Sequence, residues 1–149
     1  MAFKILRRNC CGLDVHKTWI FACIGITDAN GRTEYKQARF SSFSNGLREL
    51  AGWLTKHSCA DVCMESTGKY WIPVFNILEK TRWVTLAHPK YTKPQKGNKT
   101  DRKDAKWICD LYMSDKLTEH SVVISKSQGL ELLRKRGYIF KDEVSADSG

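Results

Sequence analysis

The chain has 149 residues, of which 42% are hydrophobic, and its formal net charge is +9. This length suits one globular domain with a real core. The longest uncharged apolar run, Thr18 to Thr27, is too short to cross a membrane, so a membrane-spanning protein is excluded. No apolar signal-peptide segment follows the basic residues 1–8, so the expected compartment is the cytosol.

The first predicted elements are three strands joined by short turns. Small and apolar residues from Cys10 to Leu13 indicate a buried strand that ends at Asp14. The nearly all-apolar run Trp19–Ile26 is typical of a strand buried on both faces. After a turn at residues 28–31, the more polar run Thr33–Phe40 predicts a strand at a sheet edge. Together these runs predict an antiparallel meander.

Two strand–helix units follow the meander. Ser44 is predicted to cap a helix, and Asp61–Met64 is predicted to form a strand that ends at Glu65. Pro73 is compatible only with the first turn of the second helix. Helical spacing of apolar residues defines the two stripes: Leu47, Leu50, Ala51 and Leu54 in the first helix, and Trp71, Val74, Phe75 and Leu78 in the second.

A fifth strand, a loop and a third helix complete the order of elements. Trp83–Ala87 is predicted to be a strand, and the third helix is marked by Ala105, Ile108, Cys109 and Tyr112. Strand–helix–strand crossovers imply parallel pairing, which is right-handed in nearly all cases. The prediction is therefore an α/β fold with a mixed five-stranded sheet flanked by helices, which is the ribonuclease H-like pattern.

The six cysteines fit a reducing compartment. They form no CxxC pair and no zinc-type spacing, and most lie in apolar runs. We therefore expect free thiols that act as small hydrophobic side chains.

Much of the positive charge lies in one segment, from His88 to Lys106. This segment has seven basic and two acidic residues, and its prolines and glycine predict a flexible loop in the first half. Such a run is often only a solvated face, but beside a carboxylate cluster it indicates a polyanionic partner, most simply nucleic acid. The residues predicted to contact nucleic acid are Lys90, Lys93, Lys96, Lys99, Arg102 and Lys103.

Four acidic residues are predicted to converge at one edge of the sheet. If the first and fourth strands are parallel neighbours, Asp14 and Glu65 meet at their carboxyl ends, where open α/β sheets bind ligands. Asp101 and Asp104 are three residues apart and share a helix face that continues into a buried stripe. In the simpler interpretation, Asp14 caps a nearby backbone turn. Thr100 or Asp101 then caps the helix, and Asp104 interacts favourably with the helix dipole.

Carboxylates gathered at one point repel one another unless they are protonated or bind cations. Oxygen ligands favour hard divalent ions, with Mg²⁺ first and Mn²⁺ as the alternative. Two such ions about 4 Å apart can activate a nucleophile and stabilise a leaving oxygen in phosphodiester chemistry. The cluster therefore predicts a metal-dependent nuclease site.

Three ordered blocks, Gly12–Lys17, Met64–Gly68 and Lys99–Ala105, resemble the signature blocks of the DEDD-type transposases of the IS110 family of insertion sequences. The resemblance covers about residues 10–117. It implies a RuvC-like nuclease domain whose catalytic metal ligands are Asp14, Glu65, Asp101 and Asp104, with two Mg²⁺ or Mn²⁺ ions. It also implies DNA transposition, a bacterial or archaeal cytoplasm, and homo-oligomers assembled around a structured guide RNA.

The resemblance also predicts how the chain is divided. Residues 1–117 are expected to form the RuvC-like domain, and residues 118–149 to hold the start of a helical linker, at Leu130–Arg136, and a polar tail. The second domain, which supplies a serine nucleophile in the family, is expected to be absent. Ser66 is predicted to lie in a strand-to-helix turn and is not assigned as the nucleophile, and His16 is given a supporting role at most.

Two other function classes remain open at this stage. A truncated transposase could be a non-catalytic nucleic-acid-binding remnant, and metal-dependent nicking would separate this hypothesis from a nuclease. An actin-like ATPase shares the strand order but needs glycine-rich phosphate loops, for which Gly12 alone is a poor substitute.

Overall fold

The computed structural model describes residues 5–65, 68–87, 101–114 and 123–124. Within them the elements, in chain order, are β1 (Asn9–Val15), β2 (Trp19–Thr27), β3 (Thr33–Ser41), α1 (Ser44–Lys56), β4 (Asp61–Glu65), α2 (Trp71–Leu78), β5 (Trp83–Ala87), α3 (Asp101–Met113) and β6 (Val123–Ile124).

The strands form one mixed sheet in the order β3-β2-β1-β4-β5-β6. β1, β4 and β5 are parallel neighbours, whereas β2, β3 and β6 pair antiparallel to the strands beside them. The predicted meander, edge strand and parallel crossovers are all confirmed, and the two-residue β6 extends the predicted five strands. This order of strands and helices is the ribonuclease H-like topology.

The sheet separates two hydrophobic clusters, because successive residues of a strand point to opposite faces. On β1, Cys11 and Leu13 pack with α1 and α2, whereas Cys10 packs with α3. The predicted stripe residues are buried in these clusters, except Ala51 of α1, which is partly buried. All four stripe residues of α2 are buried, and so are Ala105, Ile108, Cys109 and Tyr112 of α3.

The prediction that Ser44 caps α1 was wrong. The N-cap residue is Phe43, which is extended and makes no side-chain capping bond, and Ser44 is the first residue of the helix. The reason is that β3 runs one residue further than expected, to Ser41, whose hydroxyl accepts a hydrogen bond from the Phe43 N–H at 3.1 Å. The same turn requires glycine at position 46, because a Cβ there would lie 2.0 Å from the Ser41 carbonyl oxygen.

The cysteines behave as predicted. All six are free thiols and all six are buried. Burial raises the pKa of Cys63 and, more modestly, that of Cys59 to about 12, so these thiols remain protonated and are poor nucleophiles at neutral pH.

In the parts of the chain that the structure describes, none of the helices has the length and apolar character needed to cross a bilayer.

Candidate active site

Asp14 and Glu65 lie at the carboxyl ends of neighbouring parallel strands. The β1–β4 register pairs Leu13 with Met64, so the next residue on each strand is the acid. Leu13 and Met64 are buried on the α1–α2 face, and strand alternation therefore places Asp14 and Glu65 on the α3 face. The sequence predicted that β1 ends at Asp14. In the structure β1 continues to Val15, so Asp14 is its penultimate residue.

Helix α3 runs antiparallel to β1 across this same face. Near its C-terminus, the Met113 carbonyl oxygen accepts a hydrogen bond from the Leu6 N–H at 2.8 Å. In its middle, the Cys109 thiol lies 3.6 Å from the Cys10 carbonyl oxygen. The N-terminal end of α3 is therefore directed toward the carboxyl end of β1, where Asp14 is.

At Gly12 the backbone of α3 lies close against the sheet. A Cβ at Gly12 would lie 2.4 Å from both the Ala105 carbonyl oxygen and the Cys109 amide nitrogen. Only glycine lets the helix backbone come this close. Four helical residues rise about 6 Å, the length of about two strand residues, so the turn preceding Ala105 extends from Gly12 toward Asp14.

Asp104 precedes the buried Ala105 and is itself half-buried. Asp101 is the first residue of α3, and its side chain is outside the described residues. The backbone thus brings all four predicted acids toward one edge of the sheet. In the described ranges, which leave out the Asp101 side chain, no group of three or more His, Cys, Asp or Glu residues forms a metal-binding cluster. The four-carboxylate site stays a prediction.

His16 contacts Asp14, which the sequence interpretation did not foresee. Its Nε2 lies 2.9 Å from Asp14 Oδ2, and the Asp14 side chain is only 16% exposed. An ionised carboxylate only accepts hydrogen bonds, so Nε2 is the donor when Asp14 is charged. The His16 ring also packs edge-on to Phe21, with 6.1 Å between ring centroids. Residues two apart in an extended chain point to the same side, so a prediction that continued the extended conformation past Asp14 would have placed His16 beside it.

A second set of contacts holds α3 against the edge strand β3. The Tyr35 hydroxyl donates a 2.6 Å hydrogen bond to Asp110 Oδ1, and within the helix Lys106 Nζ lies 3.0 Å from Asp110 Oδ2. Burial, together with the bond to Asp110, raises the pKa of Tyr35. Asp110 is therefore a structural acid of the helix and lies apart from the predicted ligand set.

The C-terminal end of α3 is fixed around Tyr112. Its hydroxyl accepts a hydrogen bond from Thr85 Oγ1 at 3.1 Å, and the Arg7 guanidinium lies 4.1 Å from the centre of its ring. Burial raises the pKa of Tyr112 to about 12. These contacts and the Tyr35 set hold the helix that carries two of the predicted acids.

Several predicted site residues cannot be placed. Lys90, Lys93, Lys96 and Lys99 lie outside the described residues, as do Ser66 and the Leu130–Arg136 segment. Arg102 and Lys103 lie in the first turn of α3, but their side chains are outside the described residues. The nucleic-acid-binding role of these basic residues stays a prediction.

The strand order and the parallel β1–β4 pair define an α/β domain of ribonuclease H-like topology. A family model described as Transposase, of the DEDD type found in IS110 elements, matches residues 11–146. The chain therefore belongs to the IS110 family of DEDD transposases. It is a nuclease-like domain of DNA transposition, and membership of this family implies dependence on a divalent metal.

Two solved structures are similar in overall arrangement. The fowlpox virus Holliday junction resolvase has 16% sequence identity and a TM-score of 0.43. The same resolvase in complex with Holliday junction DNA has 17% identity and a TM-score of 0.42. Each comparison covers 85% of this chain and 84% of the resolvase chain. No curated protein matches this chain in sequence.

Proposed function

We propose that this chain is a DNA-cleaving domain in which Asp14, Glu65, Asp101 and Asp104 hold two divalent cations, Mg²⁺ or Mn²⁺. The observation that carries the proposal is the placement of Asp14 and Glu65 on one face, at the carboxyl ends of adjacent strands. The direction of α3, which brings its first turn toward Asp14, supports the same assignment.

The donor set fits such ions. Asp14 and Glu65 follow a directly paired register position on strands about 4.8 Å apart, so their negative charges repel one another. Carboxylate oxygens are the preferred ligands of Mg²⁺, which keeps much of its own water shell and needs few protein ligands. When bound, the ions would stabilise negative charge on the attacking and leaving oxygens of a phosphodiester.

The protein side chains supply positioning. The hydrogen bond from His16 restrains the Asp14 carboxylate, and Phe21 restrains the His16 ring in turn. Outer contacts of this kind orient a ligand before the metal arrives. The low exposure of Asp14 also limits competition from bulk water. In the proposal, the basic residues from Lys90 to Lys103 hold the phosphate backbone of the DNA.

The test is nicking of supercoiled plasmid DNA by the full chain in Mg²⁺, with Asp14→Asn and Glu65→Gln compared with wild type. Asp61→Asn is the matched control, because Asp61 lies on the same strand as Glu65, four residues away at the amino end. Loss of an outer contact costs about 10- to 100-fold, so loss of a direct ligand should slow nicking at least about a hundredfold. The control should keep wild-type activity.

Calorimetric titration with Mn²⁺ provides an independent measurement. Wild type and Asp61→Asn should bind the ion, and Asp14→Asn should bind it much more weakly. Equal binding by all three proteins would reject the site. DNA binding without any metal-dependent cleavage by the wild-type chain would instead favour a non-catalytic remnant.

Family membership extends the proposal to partners. We infer that the domain acts with a structured guide RNA and within a homo-oligomer, as the family resemblance implies. The division at residue 117 and the need for a serine nucleophile from a second domain belong to the same proposal. Co-purified RNA that protects a defined sequence from nuclease digestion would support the guide, and absence of bound RNA from the natively expressed protein would count against it.

A further inference from the structure

An exposed tryptophan and an arginine lie on the same sheet face as the predicted acids. Trp19 is 44% exposed, and the Arg39 guanidinium carbon lies 4.2 Å from the centre of its ring. On β2, Phe21 and Cys23 both pack on the α3 side, so alternation places Trp19 on that side as well.

Strand pairing sets the distance from this pair to the acids. Phe21 is the register partner of Asp14 on one side and of Arg39 on the other, so the three form a row across β1, β2 and β3. Two strand spacings amount to about 10 Å between the Asp14 and Arg39 backbones. That is about three nucleotides at the 3.4 Å spacing of one strand of duplex DNA.

We propose that Trp19 and Arg39 form a stacking platform for an unpaired base of the DNA strand that enters the carboxylate site. This inference rests on the proposed function, since it takes DNA as the partner. An exposed indole stacks on any base, and a guanidinium that lies over the ring keeps its in-plane N–H groups for a phosphate. Within the part of the chain that the structure describes, Arg39 forms no ion pair with a carboxylate.

The turn that presents Trp19 is held in place before any ligand binds. The His16 N–H donates to the Trp19 carbonyl oxygen at 2.8 Å, which joins the platform to the residue that contacts Asp14. From the β3 side, the Ser42 hydroxyl donates to the Lys17 carbonyl oxygen at 2.6 Å and the Ser42 N–H to the Thr18 carbonyl oxygen at 3.1 Å. A preordered platform loses little entropy on binding.

The test measures binding of a labelled oligodeoxythymidine to the full chain by fluorescence anisotropy in EDTA, where metal-dependent cleavage cannot occur. Trp19→Leu and Arg39→Gln should each weaken binding about tenfold, and Trp19→Phe should keep most of the affinity because the ring remains. Trp83→Leu is the matched control, because Trp83 is 77% exposed but begins β5, opposite Asp61 at the amino end of β4.

Any of three results would overturn the platform. Wild type could fail to bind oligodeoxythymidine, Trp83→Leu could weaken binding as much as Trp19→Leu does, or Trp19→Leu could bind as tightly as wild type. Trp19-dependent binding that favours oligouridine would overturn DNA as its partner.

If circular dichroism shows that Trp19→Leu does not fold, quenching of intrinsic tryptophan fluorescence replaces the anisotropy measurement. Quenching by the oligonucleotide should persist in Trp83→Phe and disappear in Trp19→Phe, and quenching that persists in both would reject the assignment.

The two proposals fail separately. Trp19-dependent binding in EDTA with no nicking in Mg²⁺ would keep the platform and reject the nuclease. Asp14-dependent nicking, together with oligonucleotide binding that does not depend on Trp19, would support the nuclease and reject the platform.

Discussion

At the scale of single residues, the contact between His16 and Asp14 restrains one of the four proposed metal ligands. The histidine directly follows β1, which ends at Val15, and its Nε2 is 2.9 Å from Asp14 Oδ2. In the proposed metal site, a carboxylate restrained in this way would meet the cation in a fixed orientation. A histidine that only filled space would make no such directional contact.

Replacing His16 with alanine should weaken Mn²⁺ binding about 10- to 100-fold, the usual cost of losing an outer contact to a ligand. His57→Ala is the control, because His57 lies at the C-terminal end of α1 against Trp53. Calorimetry on both variants measures the effect. Identical affinities for His16→Ala and wild type would show that the pair has no part in metal binding.

Tyr112 makes folding sensitive to alkaline pH. Its pKa is about 12 in the folded chain and about 10 when unfolded, so folding favours the protonated form. A raised pKa contributes stability that is complete below pH 10 and is lost as the pH rises toward 12. At about 1.4 kcal/mol for each pKa unit, the full loss would be roughly 3 kcal/mol.

Urea unfolding at pH 8 and pH 11 should therefore show a smaller pH-dependent loss of stability for Tyr112→Phe than for wild type. The exposed Tyr70 offers a control, since Tyr70→Phe should lose as much as wild type does. The comparison uses the change with pH, because removal of the hydroxyl also removes the hydrogen bond from Thr85 at every pH. Equal losses in all three proteins would assign the sensitivity to other groups with raised pKa values, namely Tyr35 and the buried thiols.

At the scale of elements, the position of α3 follows from its contact with Gly12. The helix backbone lies against the strand there, so no side chain larger than hydrogen fits. The Tyr35–Asp110 and Thr85–Tyr112 hydrogen bonds then hold the helix to β3 and β5. A shift of α3 would move two of the predicted acids together relative to the other two.

Gly12→Ala should lower the free energy of unfolding by about 1–3 kcal/mol, because the new methyl group must displace backbone atoms. It should also weaken Mn²⁺ binding, since α3 has to move. Gly52→Ala is the matched change: Gly52 lies within α1 and a Cβ there has no atom within 4 Å. It should stabilise the fold by about 0.5–1 kcal/mol. Thermal unfolding of both variants checks the pair, and a stable Gly12→Ala protein with normal metal binding would contradict it.

At the scale of the whole molecule, a net charge of +9 must be reconciled with the four acids that are proposed to form one metal site. More than half of the net positive charge lies in the segment from residue 88 to residue 106, which has a net charge of +5 although it includes Asp101 and Asp104. In the proposed arrangement the basic residues contact DNA phosphates and the acids hold cations at the scissile bond. Net positive charge then attracts DNA over a distance that falls as salt increases.

Replacing Lys93, Lys96 and Lys99 together with alanine should flatten the dependence of DNA affinity on salt. Each lost phosphate contact reduces the log–log slope by about one. The control removes the same charge from Arg48, Lys56 and Lys80, which are exposed on or just after α1 and α2, across the sheet from α3. Affinity measured at several salt concentrations separates the two. An unchanged slope in the first variant would move the DNA-binding surface elsewhere.

The sequence alone determined the order and type of the elements from β1 to α3, because hydrophobic periodicity and turn chemistry are local, but it did not predict β6. It also predicted that Asp14 and Glu65 share an edge, since parallel crossovers bring strand ends together. Only the tertiary structure decided the contacts that join distant segments. The close approach of α3 at Gly12 and the stacking of Arg39 on Trp19 depend on strand register and on helix placement. The start of α1 and the His16–Asp14 pair both follow from strands that run one residue further than the sequence predicted. Pairing with a neighbouring strand, rather than the local sequence pattern, sets where each strand ends.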